Sequence, residues 1–125
     1  KKNGKLIIMV PAFAFLWSSH DELNHHYKRY SKKQFISLLN QDFKIITMSY
    51  WNCCLLIPFY IFCLKDKIEK KILKKTPTQT IKKTNSIINQ ILTTLISIEN
   101  IWLKRRSLPV GVSLFSVAEK INKKN

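Results

Sequence analysis

Two short apolar runs with one helix pattern between them restrict the possible folds more than any other feature of this chain. Residues 5–10 hold Leu6, Ile7, Ile8, Met9 and Val10 in unbroken succession, preceded by the turn pair Asn3-Gly4 and closed by Pro11. A continuous apolar run of this length between turn residues predicts a strand covered on both faces. Residues 43–50, with Phe43, Ile45, Ile46, Thr47, Met48 and Tyr50, predict a second strand from their β-branched and aromatic content. Between them, Ser31 followed by Gln34 fits a capping box, so a helix is expected from Lys32, with Phe35, Ile36, Leu38 and Leu39 as its apolar face. Asn40 to Asp42 then predict a turn that uses left-handed backbone. Strand, helix, strand with a long crossover implies a parallel pair joined right-handedly, which is half of a doubly wound α/β sheet.

The rest of the chain hangs on that unit. Residues 12–30 are irregular and rich in aromatics, histidine and charge, and connections this long in a compact domain tend to be functional. From Cys53 to Leu64 the chain is almost continuously apolar, but Ser49, Asn52 and Pro58 interrupt the wider stretch, and six lysines lie between positions 65 and 75. Pro58 suits the first position of a helix, and a helix of this make-up packs on a core or partner or lies on a membrane surface more readily than it spans one. A polar linker at 76–80 with Pro77 follows. Ile81, Ile88, Ile91, Leu92, Leu95, Ile98 and Trp102 then recur at helical spacing up to the basic Lys104, Arg105 and Arg106, which favour a helix C-terminus. A turn at 109–111 and a third strand at 112–118 close the chain before a lysine-rich tail.

With 125 residues, 46% hydrophobic and 11% aromatic, the chain is expected to form one folded unit, with residues 53–104 as a helical insertion. Its net charge of +15 favours anionic partners, although lysine predominates and lysine also coats solvated faces without specific contact. No zinc-finger spacing or interleaved basic and aromatic phrase accompanies the charge, so no nucleic acid is expected. Cys53, Cys54 and Cys63 lack metal or disulfide spacing and read as buried thiols in a reducing compartment. The chain starts at Lys1, and the run after it is too short for a signal peptide, so its N-terminus reads as a cut.

Three phrases in this order narrow the reading: Gly4 to Ala12, Leu16-Trp17-Ser18-Ser19-His20-Asp21, and His26-Tyr27-Lys28-Arg29-Tyr30-Ser31. Together with the Trp51-Asn52 pair and the closing segment from Leu108 to Leu114, they resemble the later half of class I S-adenosylmethionine-dependent methyltransferases, closest to the small-molecule and cell-envelope branch. The resemblance covers most of the chain, is weakest at 65–100, and is most specific between Leu16 and Ser31. It departs from the family at His25 and Asp42, where glycine is usual, and at Lys28, where arginine is common.

The resemblance implies a single partial domain, 1–125: the C-terminal half of a Rossmann-like methyltransferase sheet, with two parallel strands and a third, antiparallel strand between them. The implied cofactor is S-adenosylmethionine. Its Gly-rich turn and ribose-binding acid lie in a missing N-terminal half, so no residue here is assigned to cofactor, and none to metal. The implied acceptor is a small or lipid-linked, anionic molecule. From the residues themselves, the reducing compartment read from the cysteines makes the expected location cytoplasmic, and the apolar and lysine-rich make-up of residues 53–75 adds peripheral membrane contact.

For the loop, loop position and family likeness make His26 and His20 the candidate bases, with Asp21 orienting one of them; Lys28 and Arg29 would hold an anionic acceptor, and Trp17 and Tyr30 would wall the pocket. Against this stand plainer roles: Asp21 could pair with Arg29 to stiffen the loop, Trp17 and Tyr30 could be core aromatics, and His20 could cap a turn. A metal held by His20, Asp21, His25 and His26 is disfavoured by spacing. The competing reading is a non-enzymatic basic module that binds acidic membrane surface.

Overall fold

The computed structural model describes residues 4–74 and 85–121. Three strands, β1 (Lys5–Pro11), β2 (Phe43–Trp51) and β3 (Ser113–Lys120), form one sheet in the order β1-β3-β2. Four helices join them: α1 (Ser19–Leu23), α2 (Lys32–Leu39), α3 (Leu56–Leu73) and α4 (Ser86–Leu103). The linker at 76–80, Ile81, Asn3 and the tail beyond Ile121 lie outside the described residues.

β3 pairs antiparallel with both neighbours, from Lys5↔Glu119 to Pro11↔Ser113 on one side and from Phe43↔Lys120 to Trp51↔Ser113 on the other. The fold is therefore α/β with a small sheet whose ladders are all antiparallel. The parallel, doubly wound sheet expected from strand-helix-strand order is not formed. β1 and β2 run in the same direction, but β3 takes the hydrogen-bonding edge of each, so they never pair with one another.

The core lies between one sheet face and α2. Phe35 and Leu39 of α2 pack with Ala12, Tyr50 and Leu114, and the alternate strand residues Leu6, Ile8, Val10, Ile45 and Met48 line the cluster. The capping box forms as expected: Gln34 N–H donates to Ser31 Oγ and Ser31 N–H donates to Gln34 Oε1. On the other face Ile7 is 75% and Met9 57% exposed, which corrects the expectation that β1 is covered on both sides. Its burial alternates with a period of two, the pattern of a strand packed on one face.

Local details also differ from expectation. Asn40 is right-handed and neither Gln41 nor Asp42 has positive φ, so the α2–β2 turn needs no left-handed residue. Helix α3 starts at Leu56, putting Pro58 at its third position, where its missing N–H still lies among the unpaired amides of the first turn. Gly111 also has an ordinary φ; a Cβ there would strike the backbone of Trp51, so glycine is required by close approach.

Candidate functional site

The excursion between β1 and α2 is closed at its neck. Ala12 and Tyr30 form a parallel bridge, with Phe13 N–H donating to Tyr30 O at 3.1 Å and Tyr30 N–H to Pro11 O at 2.9 Å. Within it lie a 3-10 turn (Ala14–Leu16) and α1, so the stretch expected to be irregular is a compact, hydrogen-bonded loop. It leaves the C-terminal end of β1, beside the end of β2, and the Phe13 ring stacks on Tyr50 at 5.1 Å.

Asp21 organises this loop. Its carboxylate is fully buried and accepts from Arg29 Nε at 3.0 Å and from the Ser18 N–H at 3.1 Å, and it meets His26 Nδ1 at 3.1 Å. Burial pushes its pKa up, but the hydrogen bonds from Arg29 and His26 and the guanidinium charge outweigh that and hold it below the usual carboxylate value. Asp21 is thus an anion in the fold at neutral pH. A carboxylate facing Nδ1 favours the tautomer with its proton on that nitrogen, which leaves Nε2 as a lone-pair base. His26 is part-exposed, and among the described residues Nε2 has no hydrogen-bond partner.

The seven residues singled out from sequence divide sharply. Asp21 and His26 are brought together, His26 Nδ1 lying 3.1 Å from an Asp21 carboxylate oxygen. Arg29 was expected to face an anionic acceptor, but it is buried: it holds Asp21, donates from a terminal nitrogen to Ala12 O at 3.1 Å, and stacks 5.2 Å from the Phe59 ring. Its contacts all lie within the protein, so the plainer role, stiffening the loop, is the one its geometry fits. Lys28 is exposed, with Nζ 5.5 Å from the Tyr30 ring, and remains available to an anion. Tyr30 is half-buried against the core and Trp17 half-buried after the 3-10 turn. His20 is exposed on α1, and its imidazole makes no hydrogen bond within the described residues.

Sequence reasoning missed the partner that holds the loop. Phe59, Cys63, Asp66 and Lys70, one stripe of α3, lie along it: Cys63 Sγ donates to Leu16 O, Asp66 accepts from the Ser19 N–H at 2.8 Å and hydroxyl at 2.6 Å, and Lys70 meets Glu22 at 2.8 Å. Lys67 adds a bond to Phe15 O. The three- and four-residue spacing of Phe59, Cys63, Asp66 and Lys70 places the four on one helix face, but spacing alone does not say what that face meets. Burial raises the Cys63 thiol above its ordinary value, so it stays protonated and serves as a donor. Cys53 is half-buried and Cys54 exposed, which corrects the expectation of three buried thiols.

Among the described residues, three of the four with positive φ lie at this end of the sheet: Phe13, His25 and Asn52. His25, at φ 54°, holds the left-handed backbone that glycine adopts most readily.

The described residues do not fit S-adenosylmethionine. Neither Gly4 nor Gly111 belongs to a Gly-rich turn, and the space beside Gly111 is filled by Trp51 backbone. Among the described residues no group of three or more potential metal ligands converges, and no helix is long and apolar enough to cross a membrane. Comparison with protein-family models, with curated proteins and with solved structures gives no match to this chain.

Proposed function

We propose that this chain is the substrate-side part of a class I methyltransferase domain, acting in the cytoplasm on a small or lipid-linked acceptor. The cofactor, S-adenosylmethionine, would be held by residues this chain does not contain. The observation that carries the reading is the strand order β1-β3-β2, in which the chain's last strand lies antiparallel between two co-directional strands, as the resembled family arranges its final three. The closed loop at the C-terminal end of β1 carries the Asp21–His26 pair.

In this reading His26 Nε2 takes the proton from an acceptor hydroxyl as its oxygen attacks, or from an acceptor ammonium group before attack. That frees a lone pair to receive the methyl group that S-adenosylmethionine would supply, its sulfur leaving as a neutral thioether. Asp21 keeps the imidazole oriented and stabilises the imidazolium that forms. Lys28, exposed and lying over the Tyr30 ring, meets an anionic group on the acceptor. Arg29 positions Asp21 and does not touch substrate.

The test is transfer of labelled methyl by an extended polypeptide that carries a Gly-x-Gly cofactor half ahead of Lys1. With small and lipid-linked acceptors, His26→Ala is expected to lower kcat on the order of a hundredfold, while His20→Ala leaves it unchanged. No incorporation by the parent protein would overturn the assignment, and full turnover by the His26 variant would remove that residue from the role of base.

A further inference from the structure

Helix α3 turns its Phe59, Cys63, Asp66 and Lys70 face to the loop and leaves another face bare. Ile57, Ile61, Leu64, Ile68 and Ile72 recur at intervals of three and four, and all are between 40% and 72% exposed. Helix α4 repeats the pattern: Ile88, Ile91, Leu95, Ile98 and Trp102 share one face, with Trp102 56% exposed. Two helices with uncovered aliphatic stripes of five residues each far exceed the scattered surface hydrophobics of an ordinary domain.

The charges beside these stripes are of one sign. At about 100° per residue, Lys65 and Lys71 flank the α3 stripe on either side, and exposed Lys104, Arg105 and Arg106 follow Trp102 at the end of α4. The acids of the two helices are engaged inward or locally: Asp66 on Ser19, Glu99 buried and accepting from the Cys54 N–H, Glu69 beside Lys65. We propose that the α3 and α4 stripes dock this protein on an anionic lipid bilayer surface, with the isoleucines and Trp102 in the interface and the basic side chains on the headgroups. Neither helix is long and apolar enough to cross.

Charge decides against the other occupants. In a symmetric dimer through these stripes, the cationic flanks of one copy would face those of the other, in a chain of net charge +15. Lysine is depleted in the cores of protein interfaces, whereas aliphatic stripes bordered by lysine, with tryptophan at the boundary, suit the bilayer interface. The inference stands apart from methyl transfer, since it uses no residue of the Asp21–His26 site.

Flotation of the full chain with vesicles tests it. Binding is expected to mixed phosphatidylcholine–phosphatidylglycerol vesicles and not to phosphatidylcholine alone, and to weaken with salt. Replacing Lys104, Arg105 and Arg106 with Ser should lower affinity about fivefold per charge, and Ile61→Ser with Ile68→Ser about tenfold. Circular dichroism checks that both variants remain folded. The proposal is overturned if the chain ignores mixed vesicles, if binding is indifferent to lipid charge and salt, or if the isoleucine variant binds like the parent. It is equally overturned if sedimentation shows a self-association that the isoleucine substitutions abolish and anionic vesicles do not compete away.

Discussion

Helix α3 carries two stripes of similar spacing and opposite fate. Phe59, Cys63, Asp66 and Lys70 meet the loop through a stacked guanidinium, a thiol donor, a doubly engaged carboxylate and an ion pair. Ile57, Ile61, Leu64, Ile68 and Ile72 are more apolar and remain exposed. Apolarity therefore does not track burial within this helix. What docks α3 is one-to-one matching of polar groups to loop atoms, because a loop presents orphan N–H and C=O groups that aliphatic side chains cannot satisfy.

The largest effect belongs to the root of the docked side. Asp21→Ala leaves the Arg29 guanidinium buried without its carboxylate, with Phe59 as its remaining contact to α3, and is expected to cost about 3–5 kcal/mol in urea denaturation. The same carboxylate makes docking depend on pH in a fixed direction. Its pKa in the fold lies below the ordinary 3.8, so its stabilising contribution is complete above that value and disappears as pH falls through the lower, folded value. Asp21→Asn should flatten this acid limb. A variant as acid-sensitive as the parent would show that another group governs it.

A smaller effect sharpens the comparison on α3 itself. Asp66→Ala removes the acceptor of both the Ser19 N–H and its hydroxyl, and charged hydrogen bonds of this kind contribute about 1.5–3 kcal/mol. The loss should fall locally: hydrogen exchange at residues 13–30 should quicken while the β1–β3 and β2–β3 ladders stay protected. Uniform loss of protection would mean that α3 and the sheet unfold as one unit and that the docked face is no separate feature.

What the sequence disclosed and what it hid divide along the same line. The three strands and the capping box at Ser31 and Gln34 follow from periodicity and turn residues, because each is set by neighbours in the chain. The Asp21–His26 pair was legible for a similar reason: its members lie five positions apart. Asp66 was not, since it meets Ser19 across 47 positions and nothing local sets it apart from Glu69, the other acid of α3, as a loop anchor. Arg29 misled because arginine in a loop suggests an anion site, and only the fold reveals the carboxylate and the Phe59 ring that enclose it. The parallel sheet failed because strand order in sequence fixes direction, while pairing depended on where β3 inserted.

The smallest expected effect tests the bare side of the comparison. If the exposed stripe of α3 contributes nothing to the fold, Ile61→Ser with Ile68→Ser should change unfolding free energy by no more than about 0.5 kcal/mol, the range of ordinary surface substitutions. Serine lowers intrinsic helix propensity only by tenths of a kcal/mol per residue, so the bound holds for both sites together. Two buried isoleucines lost in the same way would cost several kcal/mol. A loss of that size in dilute monomer would mean that this face is covered in solution, by the segment between α3 and α4 or by α4 itself, and the contrast between the two stripes would collapse. A near-zero result, read beside the larger loss in Asp66→Ala, would leave α3 as a helix fixed to the loop by polar contacts, with its most apolar surface turned outward.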